Sequence, residues 1–335
     1  MADKPSIREL EKKIEALEKL SHADGLDLAS EIANLKTKLK SLIDKPITPA
    51  ALIEKSIEDD WEKVKLARHP KRPYTLDYLN RVMSDYYELS GDRLFGNDQA
   101  IITALAQLEG RSVLVIGHQK GRTTEENRIR NFGMPHPEGY RKAQRAMSLA
   151  ERFGMPVICL IDTPGAYPGV GAEERHIGGA IAESIYKLCQ LRVPIIVVVI
   201  GEGGSGGALA IAVGDRVLMM ENAIYSVISP EGCASILWRD RNMAPEAARA
   251  MKITAKHLLK LGVIDGIIEE PPGGAQVDHD QAAKNLKEAL LFYLEELQAG
   301  DIEKLLKNRF ERLQAHGVFE ELSETVEPTR SAEGG

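Results

Sequence analysis

The sequence predicts a layered α/β body with a helical arm before it and helices after it. Val157–Asp162 and Pro194–Ile200 are unbroken apolar runs, the pattern of strands covered on both faces. Ile101–Leu108 and Ser112–Gly117 are β-rich runs around Glu109-Gly110-Arg111, which reads as a hairpin. Amphipathic segments with apolar residues every three or four positions follow these strands. Repeated strand–strand–helix units exclude a β-sandwich.

In chain order, the arm comes first. Ile7, Leu10, Ile14 and Leu17 repeat at helical spacing, and Leu28, Ile32, Leu35, Leu39 and Leu42 do so again after the polar break Ser21–Asp27. This predicts a helical hairpin over 1–44, either packed on its own body or used in assembly. Pro46 and Pro49 close it. Helices are expected at about 50–67 and 75–89, parted by Arg68-His69-Pro70-Lys71-Arg72-Pro73. The cations of that segment are expected to face water or an anion. A helix over about 138–153 precedes strand Val157–Asp162, and a second over Glu173–Leu191 precedes Pro194–Ile200. A short helix from Gly206 to Val213 leads to strands Arg216–Met220 and Ile224–Val227. Beyond Pro245 the pattern is helical, with a Pro271–Gly274 loop and amphipathic helices at about 281–298 and 301–315. The main domain is therefore expected over 45–317. Residues 318–335, polar from Glu320 onward, are expected to be a disordered tail.

The 335 residues carry 43 basic and 50 acidic side chains, a net charge of −7, which argues against nucleic-acid binding through bulk charge. No apolar run approaches the roughly 18 residues of a membrane span, and without a cationic stretch leading into an apolar one near residue 1 no secretory leader is expected. The three cysteines, Cys159, Cys189 and Cys233, form no CxxC pair, so neither a zinc ribbon nor a disulfide framework is expected. The expected setting is a reducing cytoplasm, with no metal held by this chain.

Gly201-Glu202-Gly203-Gly204-Ser205-Gly206-Gly207 follows a buried strand and opens a helix. Gly201, Gly203 and Gly206 fit the dinucleotide fingerprint GxGxxG, with Glu221 placed to meet a ribose. Only Gly207–Gly214 precedes the next strand, however, which is short for a dinucleotide-binding crossover. Gly203, Ser205 and Gly207 fit the nucleophile elbow GxSxG, for which Asp215 or Asp265 and His257 or His279 would complete a triad. A third reading uses only backbone N–H groups as a hole for an oxyanion. In a fourth, the glycines simply permit tight packing. A second glycine-rich turn, Thr163-Pro164-Gly165-Ala166-Tyr167-Pro168-Gly169-Val170-Gly171, favours the oxyanion reading. Two such turns on neighbouring strands could aim their amides at one small anion, as chemistry through an enolate requires.

Longer blocks carry a more specific signal. Leu66-Ala67-Arg68-His69-Pro70, Arg72-Pro73-Tyr74-Thr75-Leu76-Asp77-Tyr78, Gly117-His118-Gln119-Lys120-Gly121-Arg122, Asn131-Phe132-Gly133-Met134-Pro135 and Pro137-Glu138-Gly139-Tyr140-Arg141-Lys142-Ala143 follow one another. With Ile161–Arg175, Gly201–Ala210 and Tyr225–Trp238, they resemble the carboxyltransferase subunit alpha family of bacterial acetyl-coenzyme A carboxylase over roughly residues 45–317.

The resemblance implies a crotonase/ClpP-like superhelix of β-β-α units. It also implies transfer of a carboxyl group from carboxybiotin, carried on the biotin carboxyl carrier protein, to acetyl-CoA, giving malonyl-CoA for fatty acid biosynthesis. The implied partner is a beta subunit in an α2β2 assembly with the active site between the chains. The family's zinc belongs to beta, and ATP belongs to the separate biotin carboxylase. In this chemistry the biotin ureido nitrogen, freed of its carboxyl group, takes the proton from the acetyl methyl group. The protein then supplies oxyanion stabilisation rather than a strong base. The amides expected to do so are those of Gly203, Gly204, Gly206 and Gly207, with Gly165 and Ala166; Ser205 is then a spacer. Arg68, Lys71, Arg72, Lys120, Arg122, Arg141 and Lys142 are candidates for CoA phosphates or carrier docking, or else for ion pairs. His69 and His118 read as structural.

Overall fold

The computed structural model describes residues 59–317, together with Ala33, Leu35 and Lys36, which are helical. The chain divides into one unit of Met1–Ser56 and another of Ile57–Gly335. The rest of the expected arm and the tail over 318–335 lie outside the described residues.

Within the second unit, residues 59–67 form helix α1, followed by α2 (Thr75–Val82) and strand β1 (Asp85–Glu88). The helix expected over 75–89 therefore ends early. Met83 is extended, and Asp85–Glu88 pairs antiparallel with β2 (Ile101–Leu108), so a free sheet edge overrides the helical spacing. The β2–β3 hairpin is as expected, with β3 at Arg111–His118. Glu109 and Gly110 both take positive φ, +48° and +75°, as a two-residue turn of this hand requires.

Helices α3 (Thr124–Ile129) and α4 (Pro137–Phe153) lead into β4 (Val157–Thr163). The segment expected as one helix over Glu173–Leu191 is two, α5 (Val170–Glu174) and α6 (Ile177–Gln190). The break falls at His176, whose φ of +67° cannot continue a helix. Strand β5 (Ile195–Gly204) runs through the first glycines, and α7 occupies only Ser205–Leu209. Gly203 and Gly204 are thus strand residues rather than loop. Next come β6 (Arg216–Met220), β7 (Ile224–Ser226), α8 (Pro230–Leu237), α9 (Ala244–Met251) and α10 (Ala255–Lys260). Strand β8 (Gly266–Ile268), absent from the sequence expectation, precedes α11 (His279–Gln298) and α12 (Ile302–Gln314).

The sheet runs β1-β2-β3-β4-β5-β6-β8, parallel from β3 onward, and β7 pairs with β5. β4 and β5 are buried at every position, in keeping with their unbroken apolar runs. The register between them slips near their C-terminal ends: Ile161 faces Val199, but Thr163 faces Gly203. One residue, Asp162, thus stands opposite three, Ile200, Gly201 and Glu202. There β5 leaves β6, last paired at Val199, and takes up β7 at Glu202.

Helix α12 is pinned by Arg309, which is fully buried. Its guanidinium donates to Asp215 at 2.8 Å through both Nε and Nη2, and to the carbonyls of Leu188, Leu191 and Val193 at 2.7–2.9 Å. Charge-assisted bonds to three chain segments fix this helix against α6 and the start of β5.

Candidate active site

The two glycine-rich turns lie against each other at the C-terminal ends of β4 and β5. A Cβ on Gly207 would overlap the Gly165 carbonyl carbon and the Ala166 nitrogen, and one on Gly204 would overlap the Pro164 carbonyl. Backbone meets backbone here, and only glycine permits it. Gly206 is different: the nearest atom to a Cβ there is Ile181 Cδ1 at 3.6 Å, an ordinary van der Waals contact, so the position accepts a Cβ.

The amides divide accordingly. Gly203 pairs with both β4 and β7, and Gly204 with β7. The Gly165 N–H donates to Thr163 Oγ1 at 3.1 Å. Gly206 and Gly207 occupy the first turn of α7, where N–H groups have no carbonyl of their own helix to meet. Gly207 is braced from beneath by Tyr140, whose Oη donates to its carbonyl at 3.3 Å. His118 lies fully buried in the same layer, and burial pushes its pKa down to about 4, so the ring is neutral.

Gly206 and Ser205 open onto a cleft of about 400 Å³ walled by Leu209, Val213, Tyr225, Leu258 and Leu313, with Arg312 and His316 also lining it. Burial raises the Tyr225 hydroxyl to about 12, so it stays protonated. Arg312 pairs with Asp265 at 3.0 Å. The site is therefore an apolar slot with amide donors at one end, suited to an uncharged ring or acyl group bearing an oxygen that gains negative charge.

Ser205 is exposed with φ +52°. Among the described residues no hydrogen bond joins it to a histidine. The residues that would complete a triad are engaged elsewhere: Asp215 with Arg309, Asp265 with Arg312, His257 beside Thr254 Oγ1, and His279 with the Lys71 carbonyl. The elbow reading is not supported. Nor is the dinucleotide reading, because α7 is a single five-residue turn and Glu221 faces Lys63 at 3.7 Å.

The cations flagged from sequence are mostly paired within the chain. Arg72 is fully buried, donates from Nε to the Ile200 carbonyl at 2.6 Å and forks onto Glu270. It faces neither water nor an anion from outside, which corrects the expectation for that segment. Arg68 bridges Glu202 and Glu231, both at 2.7 Å. Lys120 reaches Asp162 at 2.6 Å and Glu202 at 3.9 Å. Burial opposes its charge, but those two carboxylates outweigh it and hold the Lys120 pKa above the ordinary value. Arg122 pairs with Asp77 and stacks over the Tyr74 ring at 3.9 Å. Arg141 pairs with Asp92 at 2.9 Å and Glu138 at 3.1 Å. Lys142 is buried and donates to Asn97 Oδ1 and the Asp98 carbonyl. Lys71 is exposed. Sequence reasoning missed the apolar walls and the acids Asp162, Glu202 and Glu270 as site residues; of these, Asp162, Glu202, Leu209 and Tyr225 lay inside family blocks.

The family model described as acetyl co-enzyme A carboxylase carboxyltransferase-like matches residues 2–317. The acetyl-coenzyme A carboxylase carboxyl transferase subunit alpha of Thermus thermophilus is 54% identical over 321 residues, covering 95% of this chain and 98% of that protein. Its counterpart from Methylococcus capsulatus is 52% identical over 315 residues, covering 94% and 96%. Among solved structures, a chain of the transcarboxylase 12S hexamer with methylmalonyl-coenzyme A aligns with TM-score 0.57 at 21% identity. It covers 70% of this chain, which spans 44% of that one. A chain of a Pseudomonas malonate decarboxylase hetero-tetramer in complex with coenzyme A aligns with TM-score 0.57 at 17% identity, covering 71% and 94%. These structures share the crotonase-type α/β architecture expected from the sequence. No helix among the described residues is long and apolar enough to cross a membrane. The chain belongs to the acetyl-coenzyme A carboxylase carboxyltransferase alpha family.

Proposed function

We propose that this chain supplies the carboxybiotin half of a carboxyltransferase site, moving a carboxyl group from biotin on a carrier protein to acetyl-CoA to give malonyl-CoA. A beta chain provides the thioester half in an α2β2 assembly. The observation that carries this reading is the placement of the Gly206 amide, in the first turn of α7, at the mouth of an apolar cleft and backed by the second glycine turn.

Carboxybiotin brings a transferable carboxyl group and, once that has left, a ureido nitrogen basic enough to take the methyl proton. The protein has correspondingly little proton chemistry to perform. The N–H groups of Gly206 and Gly207, with Ala166 from the facing turn, hold the ureido oxygen as charge builds on it. Being fixed in advance, they need no reorganisation, and removal of one such donor costs about 3–4 kcal/mol of transition-state stabilisation. Leu209, Val213 and Leu258 exclude water around the ring. Ser205 and Gly165 shape the turns; their side chain and amide respectively take no part. Lys71 and Arg122 remain the cations best placed to meet a CoA phosphate or the carrier, since the other five are committed to internal partners more deeply.

Light scattering combined with malonyl-CoA-dependent carboxylation of free biotin tests the proposal. Turnover should appear only when the purified chain is combined with a beta subunit, in a heterotetramer. Turnover by this chain alone would overturn the half-site reading.

A further inference from the structure

We propose that Asp162 and Lys120 are positioning residues for carboxyl transfer: together they hold the bulge in β5 that aims the Gly204–Gly207 turn. The inference rests on the oxyanion reading of that turn.

At the register slip one residue of β4 must answer three of β5, and a bulge of this kind disrupts the ladder locally while bending the strand. Side chains take over its hydrogen bonds. Asp162 Oδ1 accepts the Glu202 N–H at 3.0 Å, and the same oxygen accepts from Lys120 Nζ at 2.6 Å. On the other side of the bulge, Arg72 Nε donates to the Ile200 carbonyl. Gly201, between these two residues, is required by the same contact, because a Cβ there would strike the Asp162 carboxylate. Glu202 is then fixed through its side chain by Arg68, which also grips Glu231 at the start of α8.

Lys120 is itself held. Gly133, with φ +79°, packs so closely on its stem that a Cβ would come within 2.7 Å of Lys120 Cγ. Its side chain is only 15% exposed and that of Asp162 only 1%, so solvent cannot substitute for either partner. Glu202 directly precedes Gly203 and Gly204, and two residues further on is Gly206. A rotation of the Glu202 peptide would therefore be passed along the strand to the amides at the cleft. Misplacement of a catalytic group by about 1 Å can cost about 100-fold in rate.

The test uses the assembled complex with its beta subunit and the biotin carboxylation assay. Asp162→Ala removes the acceptor; kcat should fall about 100-fold while KM for biotin and malonyl-CoA moves less than about three-fold. Asp162→Asn retains an Oδ1 acceptor and should recover at least about ten-fold of that loss, and Lys120→Met should lower kcat about ten-fold without loss of assembly. Gly206→Val, which puts a branched side chain at the cleft mouth, is measured alongside. If Gly206→Val is inactive while Asp162→Ala keeps normal kcat, the positioning role is overturned and the hole stands. If Gly206→Val turns over normally, the hole reading itself falls. Equal loss in Asp162→Ala and Asp162→Asn would overturn the hydrogen-bond device. Should Asp162→Ala not assemble, normal kcat in both Asp162→Asn and Lys120→Met overturns it instead.

Discussion

Arg72 donates its Nε proton to the Ile200 carbonyl at 2.6 Å while the rest of its guanidinium lies on Glu270, so a buried ion pair closes the edge of the β5 bulge. Glu270 has no unmet demand: it also accepts from the Asn222 and Ala275 amides and from Asn222 Nδ2. Arg72→Met leaves that carboxylate buried and uncompensated, and should destabilise the fold by about 3–5 kcal/mol. Urea denaturation checks this. Burial opposes ionisation of Glu270, but Arg72 outweighs it and holds its pKa below the ordinary value. Its contribution is therefore present above the unfolded carboxylate range and disappears as pH falls through the folded value. The difference between wild type and Arg72→Met should shrink with acidification.

Gly206 and Gly207 are adjacent but should respond oppositely to alanine. Gly207→Ala forces a Cβ into the Gly165–Ala166 peptide, so the turns must separate. Stability should drop by about 1–3 kcal/mol, the usual cost of overpacking, and turnover should be lost with it. Gly206→Ala places its Cβ at ordinary contact distance from Ile181 and should leave the melting temperature within a few degrees of wild type. Thermal melts of the two variants side by side decide the matter.

Ser205→Ala should retain turnover in the assembled enzyme, and the wild-type chain should resist labelling by a fluorophosphonate. The serine already holds φ +52° with a Cβ, so alanine adds no new left-handed backbone strain there. Loss of turnover in a folded Ser205→Ala complex would restore the nucleophile reading.

Lys142 gives a basic-range signature. Burial drives its pKa down to about 8, against the pull of Asp98, from an ordinary value of 10.5. Between those values the unfolded chain binds the proton more tightly than the folded one, so this residue makes the fold more stable as pH rises. The penalty is fully present below about 8. The stability of wild type relative to Lys142→Met should therefore climb with pH across that window, by at most about 3 kcal/mol. A flat difference in urea midpoints would contradict the assignment.

Much of the fold could be read from the chain because its strongest signals are local. The unbroken apolar runs of β4 and β5 and the Glu109-Gly110 turn each specify one structure. Thr123 and Glu126 form a capping box that starts α3, a signal carried by the local sequence alone. What could not be read is set by distant partners. Asp85–Glu88 is a strand only because β2 offers an edge, and β8 has three residues, too few for any period to show. At the site, the glycines identified the turns. The division of labour among them depends on which turn faces which, and no spacing rule encodes that. Lys120 and Arg72 were flagged as cations for a ligand, yet their counter-charges, Asp162 and Glu270, lie 42 and 198 residues away.

The Arg309 anchor bears on when the site comes into being. Arg312, Leu313 and His316 form part of the cleft, and they are held there by a helix pinned through Arg309 to Asp215 and to carbonyls 116 to 121 residues earlier. Strands β4 and β5 and both glycine turns precede α11 in the chain, whereas one side of the slot is carried by α12 and the residues just after it. The cleft is thus complete only once α12 has docked.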